Sequence, residues 1–354
     1  MINHQLICKV LGQLLFLEAV LLMVSLGVSI GYQEDDVFAF LVTIFITIGA
    51  GLALKWRGHN ADNSMSRRDA YLVVSLAWIV FSFFGTFPFL ISGYIHSFTD
   101  AYFETMSGFT TTGATIIDNV EVLPHGLLFW RSLTQWIGGL GIVFFTIALL
   151  PSLVGGQIKV FAAEATGPIK TKLHPRLSTS AKWIWSIYIV LTIACIVSYY
   201  FGGMNVFDSF NYAMTTTATG GFATHNTSTE FFHSPTLEYI CTLFTFLSGI
   251  NFTLLYAAVI KLNIKNLFKN SEFKFYIFLV VVFTAFIMME LMTMRHYDLE
   301  RAFRCGLFQV VSFITTTGLF NDDASTWPHV TWVVLAACMF FGACSGSTSG
   351  GLKC

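Results

Sequence analysis

Threonine and glycine are seldom catalytic residues. In the phrases FTTTGAT (Phe109–Thr115), TTATGGF (Thr216–Phe222) and ITTTGLF (Ile314–Phe320), however, they stand where a backbone could coordinate a cation. Gly113, Gly220 and Gly318 recur about a hundred residues apart, a period that marks internal duplication. Carbonyl oxygens presented in several copies at membrane depth can replace an ion's water shell. Glycine admits the backbone angles that aim successive carbonyls to one side. The candidate cation ligands are therefore Thr111, Thr112 and Gly113; Ala218, Thr219 and Gly220; and Thr316, Thr317 and Gly318. A single such phrase would read as an ordinary helix cap; three at equivalent places read as an ion filter.

The duplication extends upstream of the glycines. Ten positions before them stand Phe103, Phe210 and Phe308, and nine positions before them Glu104, Asn211 and Gln309, polar in each copy. The segments Phe98–Phe109, Val206–Thr217 and Glu300–Thr315 are too short or too polar to span a bilayer. Each is expected to descend as a half-helix and return as the filter strand, a path tolerated at that depth only where it lines water or is buried in protein. The C-terminal end of such a half-helix carries the negative end of its dipole and favours a cation.

The elements that hold these segments are membrane helices. Hydrophobic residues make up 55% of the 354-residue chain and charged residues 11%, with 37 phenylalanines and 28 glycines, and mean hydropathy is +0.69. A lipid bilayer is the implied surrounding. A net charge of −1 leaves no electrostatic footprint for nucleic acid. The seven cysteines form no CxxC pair and the nine histidines no HExxH, so no metal, redox or other enzyme chemistry is expected. Runs long enough to span are Leu6–Ile30, Val37–Leu54, Leu72–Ile95, Leu127–Leu150, Ile184–Phe201, Leu237–Ile260 and Phe275–Met292, with a shorter one at Val330–Ala343.

Basic residues orient the chain. Lys55, Arg57, Arg67 and Arg68, then Lys159, Lys170, Lys172, Arg176 and Lys182, then Lys261, Lys265, Lys269 and Lys274 fall in alternate loops, while Glu34, Asp35 and Asp36 fill the first opposite one. The basic side is cytoplasmic, which with Lys9 places the N-terminus inside. Arg295, Arg301 and Arg304 break the rule. Glu18 and Glu290 lie inside predicted spans and are expected to pair with neighbouring helices. Glu104 and Asp208 are expected to lend negative potential to the outer mouth, and Trp130, Arg131, Trp136, Trp183 and Trp185 to anchor at the interface.

These residues together resemble the Trk/Ktr/HKT superfamily of potassium transporters, along nearly the whole chain. LPHGLLFWRSLTQWIGGLGI (Leu123–Ile142) is similar to the family's segment after the first filter, AEATGPIKTKLHPRLSTSAKWIWSIY (Ala163–Tyr188) to its cytoplasmic loop, and FFGACSGSTSGGLK (Phe340–Lys353) to its intramembrane gate loop. The resemblance implies an all-α membrane protein of helix–pore half-helix–helix repeats around a pseudo-fourfold pore. Three of four repeats are present, with two extra N-terminal helices. The expected divisions are an N-terminal pair at 1–69, repeats at 70–158, 183–272 and 273–354, and a cytoplasmic loop at 159–182. The absence of a fourth filter makes a fragment of a longer protein the expectation.

The resemblance further implies potassium ion uptake across the cell inner membrane by a multi-pass protein, with K+ as transported ion and the nine residues above as its ligands. Sodium conduction or ion-coupled symport on the same fold remains an alternative. The run Cys344, Ser345, Gly346, Ser347, Thr348, Ser349, Gly350 and Gly351 is a poor helix, and by resemblance it is the gate. The implied partners are a second copy, forming a homodimer, and a cytoplasmic nucleotide-binding regulatory subunit of the TrkA type.

Overall fold

A computed structural model describes residues 2–62, 65–141, 177–259 and 264–353. The C-terminal part of the expected span Leu127–Leu150, from 142 on, and most of the loop 159–182 lie outside these residues. The fold is all-α. Among the described residues, five helices are long and apolar enough to cross a membrane, or six if one bent pair is a single span. The described residues form two compact units, one up to Trp185 and one from Ser186 onward.

The first unit opens on α1 (His4–Tyr32) and α2 (Val37–Arg57). Asn3 caps α1 by accepting from the Leu6 amide, and the helix stops where Gln33 turns left-handed at φ 57°. The two helices approach closely through small residues. A Cβ on Gly12 would come within 2.8 Å of the Gly51 carbonyl, and one on Gly51 within 3.2 Å of the Gly12 carbonyl. Between apolar helices in lipid, such contact supplies the packing that hydrophobicity cannot. Next come α3 (Arg67–Gly85), begun by a Ser66–Asp69 capping box, and α4 (Phe87–Ser92). They share the run expected as one span. Then follow the half-helix α5 (Phe98–Phe109) and α6 (His125–Gly139).

The second unit takes in most of α7 (Leu177–Gly202) and continues with α8 (Val206–Thr217), α9 (Pro235–Ser248), α10 (Phe252–Val259), α11 (Ile264–Lys269), α12 (Ser271–Met294), α13 (Leu299–Ile314) and α14 (His329–Phe341). Its core gathers Tyr199, Tyr212, Cys241, Phe308 and Leu319. The apolar run Leu237–Ile260 is not one straight helix: α9 and α10 meet at a bend of 106°. All three helices that follow a filter stop early, α6 at Gly139, α9 at Ser248 and α14 at Phe341. Hydropathy continues past Gly139 and Ser248 but not past Phe341, where the glycine-serine run begins; Gly141 and Gly342 turn left-handed and break the helical path.

Candidate functional site

The three half-helices start alike and end alike. Ser97, Asn205 and Asp298 cap α5, α8 and α13 by accepting the backbone N–H three residues on. At the other end each chain turns back on the last helical carbonyls. The amides of Thr111, Thr219 and Thr316 donate to Gly108, Thr216 and Phe313, and those of Thr112, Gly220 and Thr317 donate to Ser107, Thr215 and Ser312, all at 2.8–3.1 Å. The turn forces a β-branched residue into the left-handed region: φ is 52° at Thr111, 51° at Thr219 and 55° at Thr316. Such a conformation is a true outlier for threonine. Each outlier is followed two residues later by a left-handed glycine, Gly113 at 74°, Gly221 at 82° and Gly318 at 85°.

This backbone corrects the matching of the three phrases. By hydrogen bonding and dihedral angle, the counterpart of Thr111–Gly113 and Thr316–Gly318 is Thr219–Gly221, one residue beyond the expected Ala218–Gly220. Adjacent glycines at 220 and 221 hid the register. The caps reveal it, because Gly221 stands as far from Asn205 as Gly113 does from Ser97. The third half-helix is longer, 16 residues against 12, an added turn at its outer end.

Side chains brace the strands. Thr110 and Thr112 share a hydroxyl hydrogen bond of 2.8 Å, and Thr315 and Thr317 one of 2.7 Å. The corresponding positions in the second copy are Ala218 and Gly220, where no such brace exists. The second strand is supported instead by the third, since a Cβ on Gly221 would collide with the Thr317 carbonyl oxygen. The Thr229 amide also donates to the Phe320 carbonyl at 3.1 Å.

One position per half-helix, seven residues before the left-handed threonine, fastens the returning strand with different chemistry each time. Glu104 accepts from the Thr115 hydroxyl at 3.0 Å and the Ile116 amide at 3.2 Å. Tyr212 donates its hydroxyl to the Ser228 carbonyl at 2.9 Å, and Gln309 its amide to the Asp322 carbonyl at 3.2 Å. Glu104 is also paired with Arg131 at 2.8 Å, both buried. It therefore adds no free charge to the mouth, contrary to the sequence expectation, and Arg131 is no interfacial anchor. Trp130 is likewise buried, donating to the Gly85 carbonyl at 3.0 Å.

Asp208 is similarly engaged, accepting from the Thr224 hydroxyl at 2.6 Å and lying 3.2 Å from the His225 ring nitrogen. Burial pulls its carboxyl up, but the His225 and Thr224 hydrogen bonds outweigh it and hold it below the ordinary range. The outer arginines are tied to the protein itself. Arg304 pairs with Glu238 at 2.6 Å and Glu300 at 2.9 Å, Arg301 stacks on Tyr297, and Arg295 donates to Thr326. Arg304 is neutralised in place and Arg301 lies 4.0 Å from Asp322, while Arg295 bonds an uncharged hydroxyl.

The glycine-serine segment after α14 is not a loose turn. The Cys344 amide donates to the Gly249 carbonyl at 3.1 Å, and Asn251 and Phe252 bond the carbonyls of Ser345 and Gly346. The Ser345 amide also reaches the Glu272 carboxylate. Further on, the Thr348 hydroxyl lies within reach of two carbonyls, Thr217 at 3.1 Å and Ser248 at 3.3 Å, and the Gly350 amide donates to the Thr316 hydroxyl at 2.7 Å. The segment is thus sewn to the bend between α9 and α10, to the end of α8, and to the left-handed threonine of the third strand.

Comparison with known proteins accords with this architecture. Residues 36–354 match the family model described as TrkH, cation transport protein. The potassium uptake protein TrkH of Halomonas elongata is 35% identical over 351 residues, 99% of this chain and 73% of that one. The TrkH of Escherichia coli K12 is 36% identical over 352 residues, 98% and 72%. The crystal structure of the potassium transporter TrkH from Vibrio parahaemolyticus superposes with a TM-score of 0.85 at 34% identity, covering 99% of this chain and 72% of that one.

Proposed function

The chain belongs to the TrkH family of cation transport proteins, and we propose that within it this protein moves potassium across the inner membrane through a channel-like pore. It is a multi-pass membrane protein and not an enzyme. The observation that carries the reading is the backbone motif repeated in three copies, a left-handed threonine and, two residues on, a left-handed glycine at the end of a buried half-helix. Strain of this kind, roughly 1–3 kcal/mol per site, persists where function needs it. In this reading the carbonyls of Thr111–Gly113, Thr316–Gly318 and the second strand, Ala218–Gly221, replace the water of a dehydrated potassium ion.

The same reading treats 70–158, 183–272 and 273–354 as pore repeats about a common axis, behind an N-terminal pair at 1–69. Cys344–Gly351 is the gate: its bonds to Thr217 and Thr316 join it to the end of α8 and to the third filter strand, and small residues let it move. A homodimer seated on a cytoplasmic nucleotide-binding subunit of the TrkA type follows from family membership and from the basic loops.

The test is ion-dependent stability of the purified chain in potassium, sodium and choline chloride. Potassium is expected to raise the unfolding temperature most, and Gly318→Ala to abolish the difference. An equal response to all three salts would sink the filter assignment; a larger response to sodium would change the ion.

A further inference from the structure

Helix α1 buries a row of polar side chains that the filter does not use. Glu18, Ser25 and Ser29 are sealed at 0% exposure, as is Asp36 at the start of α2. Spacings of seven and four residues put the three α1 side chains on one face. They extend roughly 16 Å along the axis toward the end of the helix that meets Asp36. Ser29 donates to the Asp36 carboxylate. Both carboxylate oxygens of Glu18, the Ser25 hydroxyl and the second Asp36 oxygen have no hydrogen-bond partner. Sequence led us to expect that Glu18 pairs with a neighbouring helix; the structure shows that it does not.

The elements packed on α1 are α2, α3 and α6. Their titratable groups are Lys55 and Arg57; Arg67, Arg68, Asp69 and Tyr71; and His125 and Arg131. Lys55 lies over the Phe16 ring, Asp69 bonds Asn3 and Ser66, His125 bonds Glu34, and Arg131 bonds Glu104. His4, Cys8 and Lys9 belong to α1 itself, a turn or more before Glu18, and Glu34 and Asp35 to the loop after it. Among the described side chains, none bonds Glu18. An ionised carboxylate enclosed this way, without a partner, is disfavoured by several kcal/mol.

We propose that Glu18 is a proton-binding site: a carboxylic acid held neutral within the first span, whose proton exchanges with the outer side along Ser25, Ser29 and Asp36. The unpartnered oxygens of Glu18, Ser25 and Asp36 are the acceptors such a row needs. At the outer end, burial pushes the Asp36 carboxyl up from its ordinary range, against the Ser29 hydrogen bond. That suits Asp36 to hold a proton at the outer end of the row.

Infrared spectroscopy of the whole chain tests this. At neutral pH a protonated-carboxyl stretch is expected in the wild type, absent in the isosteric Glu18→Gln and displaced in Glu18→Asp, with circular dichroism checking that each variant folds. Transfer to heavy water is expected to shift the band, more slowly in Asp36→Asn. Identical wild-type and Glu18→Gln spectra, or a band that moves in neither Glu18 variant, would overturn the proton site. A band that heavy water leaves unmoved would overturn the route.

Discussion

Arg131 donates from Nε to Oε1 of Glu104 at 2.8 Å, and neither side chain is more than 2% exposed. The pair joins α6 to α5 and, through Thr115, to the strand leaving the first filter. Buried pairs add little net stability over apolar substitutes, but a lone partner is costly.

Removing one partner alone, as in Arg131→Met, is therefore expected to destabilise the protein by about 3–5 kcal/mol. The double variant Arg131→Met with Glu104→Gln should recover much of that loss. Unfolding of the single and double variants in detergent measures both. Additive losses would show that the two side chains act independently.

The register of the second strand separates two glycines. Gly221→Ala places a methyl against the Thr317 carbonyl at a left-handed φ of 82°, whereas Gly220 has no left-handed angle to defend. Gly221→Ala is expected to abolish potassium-dependent stabilisation and Gly220→Ala to weaken it only. The reverse order would restore the register read from sequence.

Thr348 joins the glycine-serine segment to Thr217 and Ser248. Thr348→Val keeps the shape and removes the donor, a loss of about 1 kcal/mol. A fall in cysteine protection at Cys344, roughly fivefold by that figure, is the expected readout with a membrane-permeant thiol reagent. Unchanged labelling would mean that the bond does not hold the segment.

Asp208 sits below the ordinary aspartate range, which fixes the sign of its pH effect. Its contribution is complete above the unfolded value of about 3.9 and is lost as pH falls through the lowered native value. Asp208→Asn should thus flatten the acid limb of the stability curve while leaving neutral pH less stable than wild type. Parallel acid limbs would assign the acid sensitivity elsewhere.

Much of this was legible in residue order. The half-helices Phe98–Phe109 and Val206–Thr217 have the bounds that polarity and length suggested. Caps and glycines are local signals, and local signals survive folding. The breaks at Gly139 and Ser248 were not read, because hydropathy reports depth in the membrane and says nothing of helical continuity. Gly141, Gly249 and Asn251 were the cues available. Trp130 and Arg131 have the chemistry of interfacial anchors, but their burial is decided by Gly85 and Glu104, partners that no spacing rule connects to them.

Helices α6, α9 and α14 run for only 15, 14 and 13 residues, about 20 Å at the α-helical rise, while the hydrocarbon layer is roughly 30 Å thick. Once folded, none of these helices crosses the layer by its own length, and each leans on a neighbour: α6 on α1, and α9 and α14 on α13. Membrane thickness is thus a constraint that the packed protein meets and the single helix does not.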